Sequence, residues 1–149
     1  MGKEIERKFL IKELPANLEE YQYRELEQGY LNTAPVVRVR KEDDDYYLTY
    51  KGKGFMEREE YNLPLNEEAY FHLIKKADGN IISKRRYLIP FGSFTIELDV
   101  FKEPFAPLIL AEVEFASVEE AESFTPPVWF GEDVTGDYHY SNSYLSKSL

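Results

Sequence analysis

The stretch Glu4-Ile5-Glu6-Arg7-Lys8 sits in residues 2–11, where charged and apolar residues alternate as on a β-strand. Side chains on a strand alternate between faces. Glu4, Glu6 and Lys8 therefore share one face at steps of about 7 Å, and Ile5 takes the other. Two carboxylates and an ammonium on one face can hold a metal ion and an anion side by side. A chain with 28 acids and 18 lysines and arginines yields roughly 0.6 acid-x-acid-x-base matches by chance. A single match thus equally describes a solvated strand face with cross-strand ion pairs. Repetition along the chain decides between the two.

The alternation does repeat. Arg38-Val39-Arg40 puts two guanidiniums on one face, and Lys51 and Lys53 follow. Arg58 alternates with Glu60, and Lys84 with Arg86. Glu97-Leu98-Asp99 and Glu112-Val113-Glu114 are further paired carboxylates. Ile5, Val37, Val39, Leu98, Val100, Val113 and Phe115 fall on opposite faces. Most acid pairs and base pairs sit on separate strands, which random decoration would not produce.

Eight strand-like segments lie near residues 2–11, 22–31, 35–42, 45–53, 57–63, 80–90, 93–101 and 108–116. Turn signals separate several of them, among them Asp43-Asp44-Asp45, Asp78-Gly79-Asn80 and Pro90 to Ser93. Asn66 is placed to cap a helix from Glu67 to about Ala77. A short helix is expected over Val118 to Ser123. A last helix is expected from about Asp137 to Lys147, with Tyr140, Tyr144 and Leu145 on one face. The pattern predicts a mainly β (α+β) fold: an eight-stranded antiparallel barrel with a few helices, one of them C-terminal. Such a lumen is either filled or holds one small ligand. Lined by ions of both signs, it cannot be a dry core, because each desolvated ion costs several kcal/mol. It suits water, a hard cation such as Mg²⁺ or Mn²⁺, and an anion gripped by guanidinium forks and lysines. A narrow lumen fits a triphosphate chain better than a protein or a duplex.

A length of 149 residues predicts one domain, 1–149, and 43% hydrophobic residues are enough for its core. With no cysteine, disulfides and thiolate metal sites are excluded. The net charge of −10 disfavours nucleic-acid partners. No apolar run is long enough for a bilayer or a signal peptide, so a cytoplasmic protein without membrane contact is expected. A homodimer is a candidate assembly. His72 and His139 match no motif and read as surface or packing residues.

The ordered set of motifs resembles the CYTH superfamily, also called triphosphate tunnel metalloenzymes, over nearly the whole chain. It is most like the family's short bacterial triphosphatases. The resemblance rests on Glu4-x-Glu6-x-Lys8, Gln28-Gly29-Tyr30-Leu31, Arg38-x-Arg40, Lys51, Arg58-x-Glu60, Lys84-x-Arg86, Glu97-x-Asp99 and Glu112-x-Glu114. Val134-Thr135-Gly136-Asp137 with Tyr140-Ser141-Asn142 extends it to the C-terminus. It implies a tunnel that is open or partly plugged by a C-terminal helix. It implies that Lys8, Arg38, Arg40, Lys51, Arg58, Lys84 and Arg86 grip phosphates. It implies that Glu4, Glu6, Asp99, Glu112 and Glu114 serve Mg²⁺ or Mn²⁺, and that Glu60 and Glu97 place or activate a water. The Lys84 and Tyr30 pair is implied in triphosphate hydrolysis. Asn62 stands where the family often has a further acid, and Lys53 reads as a rim contact. The implied activity is metal-dependent hydrolysis of a small-molecule triphosphate, foremost inorganic tripolyphosphate. Alternatives are a class IV-type adenylate cyclase, a thiamine triphosphatase, and a non-catalytic polyphosphate- or nucleotide-binding module.

Overall fold

The computed structural model describes residues 3–148; Met1, Gly2 and Leu149, at the ends of the expected domain, lie outside the described residues. Alternation produces strands β1 (Lys3–Ile11), β2 (Gln22–Thr33), β3 (Val36–Glu42), β4 (Asp45–Lys51) and β5 (Glu57–Leu65). Helix α1 (Glu67–Ile74) follows, then β6 (Asp78–Phe91), β7 (Phe94–Phe101), β8 (Ile109–Glu114), α2 (Val118–Ser123), β9 (Phe130–Asp133) and α3 (Asn142–Leu145). Strand order is β5-β4-β3-β2-β6-β7-β8-β1-β9, and pairing of β5 with β1 closes eight of the strands into an antiparallel barrel. The hairpins close where the chain tolerates a left-handed residue: Asp43 at φ 52° between β3 and β4, and Gly92 at φ 62° between β6 and β7.

Apolar residues form two clusters. On the outer face of β1, β6, β7 and β8, Phe9, Ile96, Leu98, Val113 and Phe115 pack with Ala121 and Phe124 of the α2 region and Phe130 of β9. Burying each large side chain there contributes about 1.5–3 kcal/mol. The second cluster lies inside one end of the barrel: Tyr30, Val36, Ile82, Phe101 and Leu110, with Val134 and Leu145 from the C-terminal region. These barrel residues have the same strand parity as Gln28, Arg38, Lys84, Asp99 and Glu112. The inner face is thus charged along most of the barrel and turns apolar at one end, where the C-terminal segment plugs it.

Gly29 is required by packing. A Cβ there would lie 2.7 Å from Ala77 Cβ and 2.8 Å from Ile74 Cδ1, so only glycine lets α1 and its exit cross β2.

Three expectations are corrected. A ninth strand, Phe130–Asp133, pairs with the second half of β1, through Phe9 opposite Asp133 and Ile11 opposite Phe130. Helix α1 stops at Ile74, because Lys76 and Ala77 donate to Leu73 and Ile74 in tight three-residue turns, and the Asp78-Gly79-Asn80 signal begins β6. The C-terminal helix is broken: Tyr138–Tyr140 form a 3-10 turn, and Ser141 caps the four-residue α3. Leu145 and Tyr140 face the plug cluster, whereas Tyr144 is exposed and packs on Tyr138 at 5.4 Å between ring centroids.

Candidate active site

The barrel encloses a cavity of about 200 Å³. Glu4, Glu6 and Lys8 enter it from β1, Arg38 and Arg40 from β3, Lys51 from β4, Arg58 and Glu60 from β5, and Arg86 from β6. Glu97, Glu112 and Glu114 enter from β7 and β8, and Tyr30 from β2. Strand register makes them neighbours: Glu4 stands opposite Arg58, Glu6 opposite Glu114, Lys8 opposite Glu112, and Lys51 opposite Glu60.

Carboxylate oxygens of Glu4, Glu6 and Glu114 lie within 4.8 Å of one another. Burial pushes the Glu6 carboxyl well up, and Glu112 and Glu4 push it further. Glu114 is pushed up to about 7 by burial, then by Glu97, Glu4, Glu60 and Glu112. Burial acts upward on Glu4 too, but Lys51 at 3.1 Å and Arg58 at 3.4 Å pull it below its ordinary value. Three carboxylates crowded so that two of them hold protons more tightly than usual fit a hard divalent cation, whose charge would replace the protons.

The other two acids expected at a metal stand outside this trio. Asp99 is fully buried and does not line the cavity. It accepts from Arg86 Nε at 2.7 Å and from Arg86 Nη2 at 2.9 Å, and pairs with Lys84 Nζ at 2.7 Å. Glu112 does face the cavity, beside Arg86 at 3.7 Å. Burial works against its ionisation, but Lys8, Arg86 and Lys84 hold it well below the usual carboxylate range.

The basic side is braced by polar neighbours. Arg38 Nη2 donates to Thr49 Oγ1 at 3.1 Å, which donates to Asn62 Oδ1 at 2.6 Å. Arg40 Nε donates to Gln28 Oε1 at 2.7 Å, and Gln28 Nε2 to the Tyr30 hydroxyl at 3.2 Å. Burial, then Arg38 and Arg86, lower Arg40 to about 9. Among the described residues, Arg38 Nε is the one buried side-chain polar atom without a partner. Lys8 Nζ donates to the Tyr140 carbonyl at 3.2 Å. Lys84 lies behind the wall, fully buried. Its Nζ donates to Asn142 Oδ1 at 3.2 Å and sits 5.2 Å from the Phe101 ring centroid. Burial brings it down to about 8 despite Asp99.

Glu42, Ser141, Asn142 and Ser143 also line the cavity, and Gln28 and Thr49 brace it. Gln28 and Thr49 share strand parity with Tyr30 and Lys51, a signal that could have found them. The serines and Asn142 come from outside the barrel and had no such signal. Lys53 opens onto an outer cavity, His72 lies on α1, and His139 Nδ1 pairs with Asp137 at 2.7 Å, away from the lumen.

The lumen is a closed antiparallel barrel with a carboxylate trio set against a wall of guanidiniums and lysines. Residues 2–132 match the CYTH domain. Inorganic triphosphatases of Nitrosomonas europaea and Acetivibrio thermocellus are each 39% identical to this chain, over 98% of both proteins in the first case and 99% and 96% in the second. A crystal structure of an inorganic triphosphatase superposes with a TM-score of 0.73 at 37% identity, covering 98% of this chain and 95% of the other. The chain belongs to the CYTH domain family.

Proposed function

We propose that this protein hydrolyses inorganic tripolyphosphate with the help of a divalent cation, Mg²⁺ or Mn²⁺, inside the barrel. The observation that carries the reading is the Arg38 guanidinium, buried in the lumen wall with an N–H that no protein group satisfies. A buried unsatisfied donor costs free energy, and more if charged, and a phosphate oxygen would recover it. The names of the two relatives at 39% identity support the same substrate.

Arg38, Arg40 and Arg86 would grip the chain from one side, with Lys8, Lys51 and Arg58 beside the acids. Glu4, Glu6 and Glu114 would hold the cation. When bound, that cation supplies charge neutralisation on the phosphates and a more acidic water. Glu97, whose carboxyl is raised by burial despite Arg86, and Glu60 would orient the attacking water from the cavity wall. Asp99 acts indirectly, by fixing Lys84 and Arg86. Bases already held in place stabilise charge on the transferred phosphoryl group without reorganising.

Tripolyphosphate, ATP and thiamine triphosphate, each offered with Mg²⁺ or Mn²⁺, test the reading. Orthophosphate from tripolyphosphate is expected, lost on chelation, and reduced on the order of 100-fold in Glu4→Gln and Glu6→Gln, the scale of removing one electrostatic partner of a transition state. Cyclic AMP with pyrophosphate from ATP as the dominant reaction would overturn it, and so would full activity in both variants.

A further inference from the structure

Two cavities meet at the C-terminal segment. The charged lumen ends on Ser141, Asn142 and Ser143. An outer cavity of about 720 Å³ lies beyond, and Ser141 and Ser143 line that one too. Ser141 and Ser143, common to both walls, are the tail's share of the partition, and Asn142 between them faces the lumen alone. Its side chains are small and polar. Ser141 Oγ donates to the Tyr138 carbonyl at 2.7 Å and accepts from the Tyr144 amide at 3.2 Å, while Asn142 Oδ1 takes a hydrogen bond from Lys84.

The two ends of the lumen differ in what a longer anion would meet. Toward the acidic end, Glu60, Glu97 and Glu114 line the wall, and an added phosphate would face their charge. Toward the other end an added phosphate would collide with the partition. Beyond the partition the outer cavity offers room and one cation of its own, Lys53, beside Glu59 and Asp137, and it shares Lys8, Arg58 and Glu6 with the lumen.

We propose that Ser141-Asn142-Ser143 is an end stop that sets the length of phosphate chain the lumen accepts, with Asn142 as its specificity-determining side chain. This rests on the triphosphatase reading. With the stop in place, tripolyphosphate fits between the acids and the partition. With it removed, longer linear polyphosphates extend into the outer cavity.

The test compares kcat/KM for tripolyphosphate, tetrapolyphosphate and long-chain linear polyphosphate, with Mg²⁺ or Mn²⁺, in the wild type, in Asn142→Ala, and in a chain ending at Tyr140. The wild type should prefer tripolyphosphate to tetrapolyphosphate by at least about tenfold, the effect of one lost charged contact. Asn142→Ala should shrink that ratio and the shortened chain should abolish it. The ratio is the readout, because a general loss of packing lowers all three substrates together. If the shortened chain does not melt cooperatively, Asn142→Ala alone decides. A wild type that hydrolyses tripolyphosphate without length preference, or folded variants that keep the preference, would overturn the end stop and leave the triphosphatase reading standing. A wild type inert toward tripolyphosphate would overturn both.

Discussion

Asp99 shows why acids of one motif do different work. Its two oxygens take three contacts from Arg86 and Lys84, all between 2.7 and 2.9 Å, with no exposure to solvent. Burial alone would raise its carboxyl, but the two cations hold it below its ordinary value. Removing the anion from such a cluster leaves two buried cations facing each other, so Asp99→Ala should lower stability by about 3–5 kcal/mol. The change is read as a lower urea midpoint at constant slope. Glu4→Gln should cost far less, because Lys51 keeps Glu60 as a partner at 3.4 Å. Equal midpoints for the two variants would remove Asp99 from its structural role. Arg38 presents the complementary case at the same scale: a cation held by one hydrogen bond to Thr49, with its buried Nε–H unpartnered.

At the scale of elements, the tail is tied to the barrel at the start of β6. Gly79 adopts φ 71°, and a Cβ on it would collide with the Ser146 carbonyl, the same oxygen that accepts from the Asn80 amide. Gly79→Ala should therefore cost on the order of 1–2 kcal/mol from the left-handed backbone alone, and push the Ser146 backbone off β6. Faster amide exchange and proteolysis after residue 140, with the barrel still protected, is the expected signature; uniform protection would count against it. The same tail marks the limit of what alternation along the chain can tell. Period-two patterning exposed eight strands and the inward face of each. It could not expose Phe130–Asp133, a short segment made a strand by its pairing with β1 and by flanking bonds from Lys12 to Trp129 and from Val134 to Lys8. Spacing placed Tyr140, Tyr144 and Leu145 on one helical face, but Ser141 caps a new helix instead and splits them. Nor does alternation give depth along the barrel axis. Glu97 and Asp99 share a face, yet one lines the cavity and the other is sealed behind it, because strand stagger sets how far each residue lies from the mouth.

For the whole molecule, the net charge of −10 conceals a lumen lined by six lysines and arginines and seven glutamates. A polyanion entering a wall so nearly balanced needs added positive charge, so cation and anion should each raise the other's affinity. Until a cation arrives, protons do part of that work. Glu6, Glu97 and Glu114 all have raised carboxyls, chiefly through burial, with Glu114 at about 7 against an ordinary 4.5. In that window the folded chain binds more protons than the unfolded one, so its stability falls as pH rises. Glu4, Asp99 and Glu112 are shifted the other way; their contribution is complete above the ordinary carboxylate values and is lost only on further acidification. The metal-free protein should thus lose melting temperature between about pH 5 and pH 7, and Glu114→Gln should lose less. Saturating Mg²⁺ or Mn²⁺ should raise the wild-type melting temperature more at the upper pH than at the lower, because protons and the cation compete for the same oxygens. A melting curve whose response to the cation is the same at both pH values would mean that the glutamate trio is not where the cation binds.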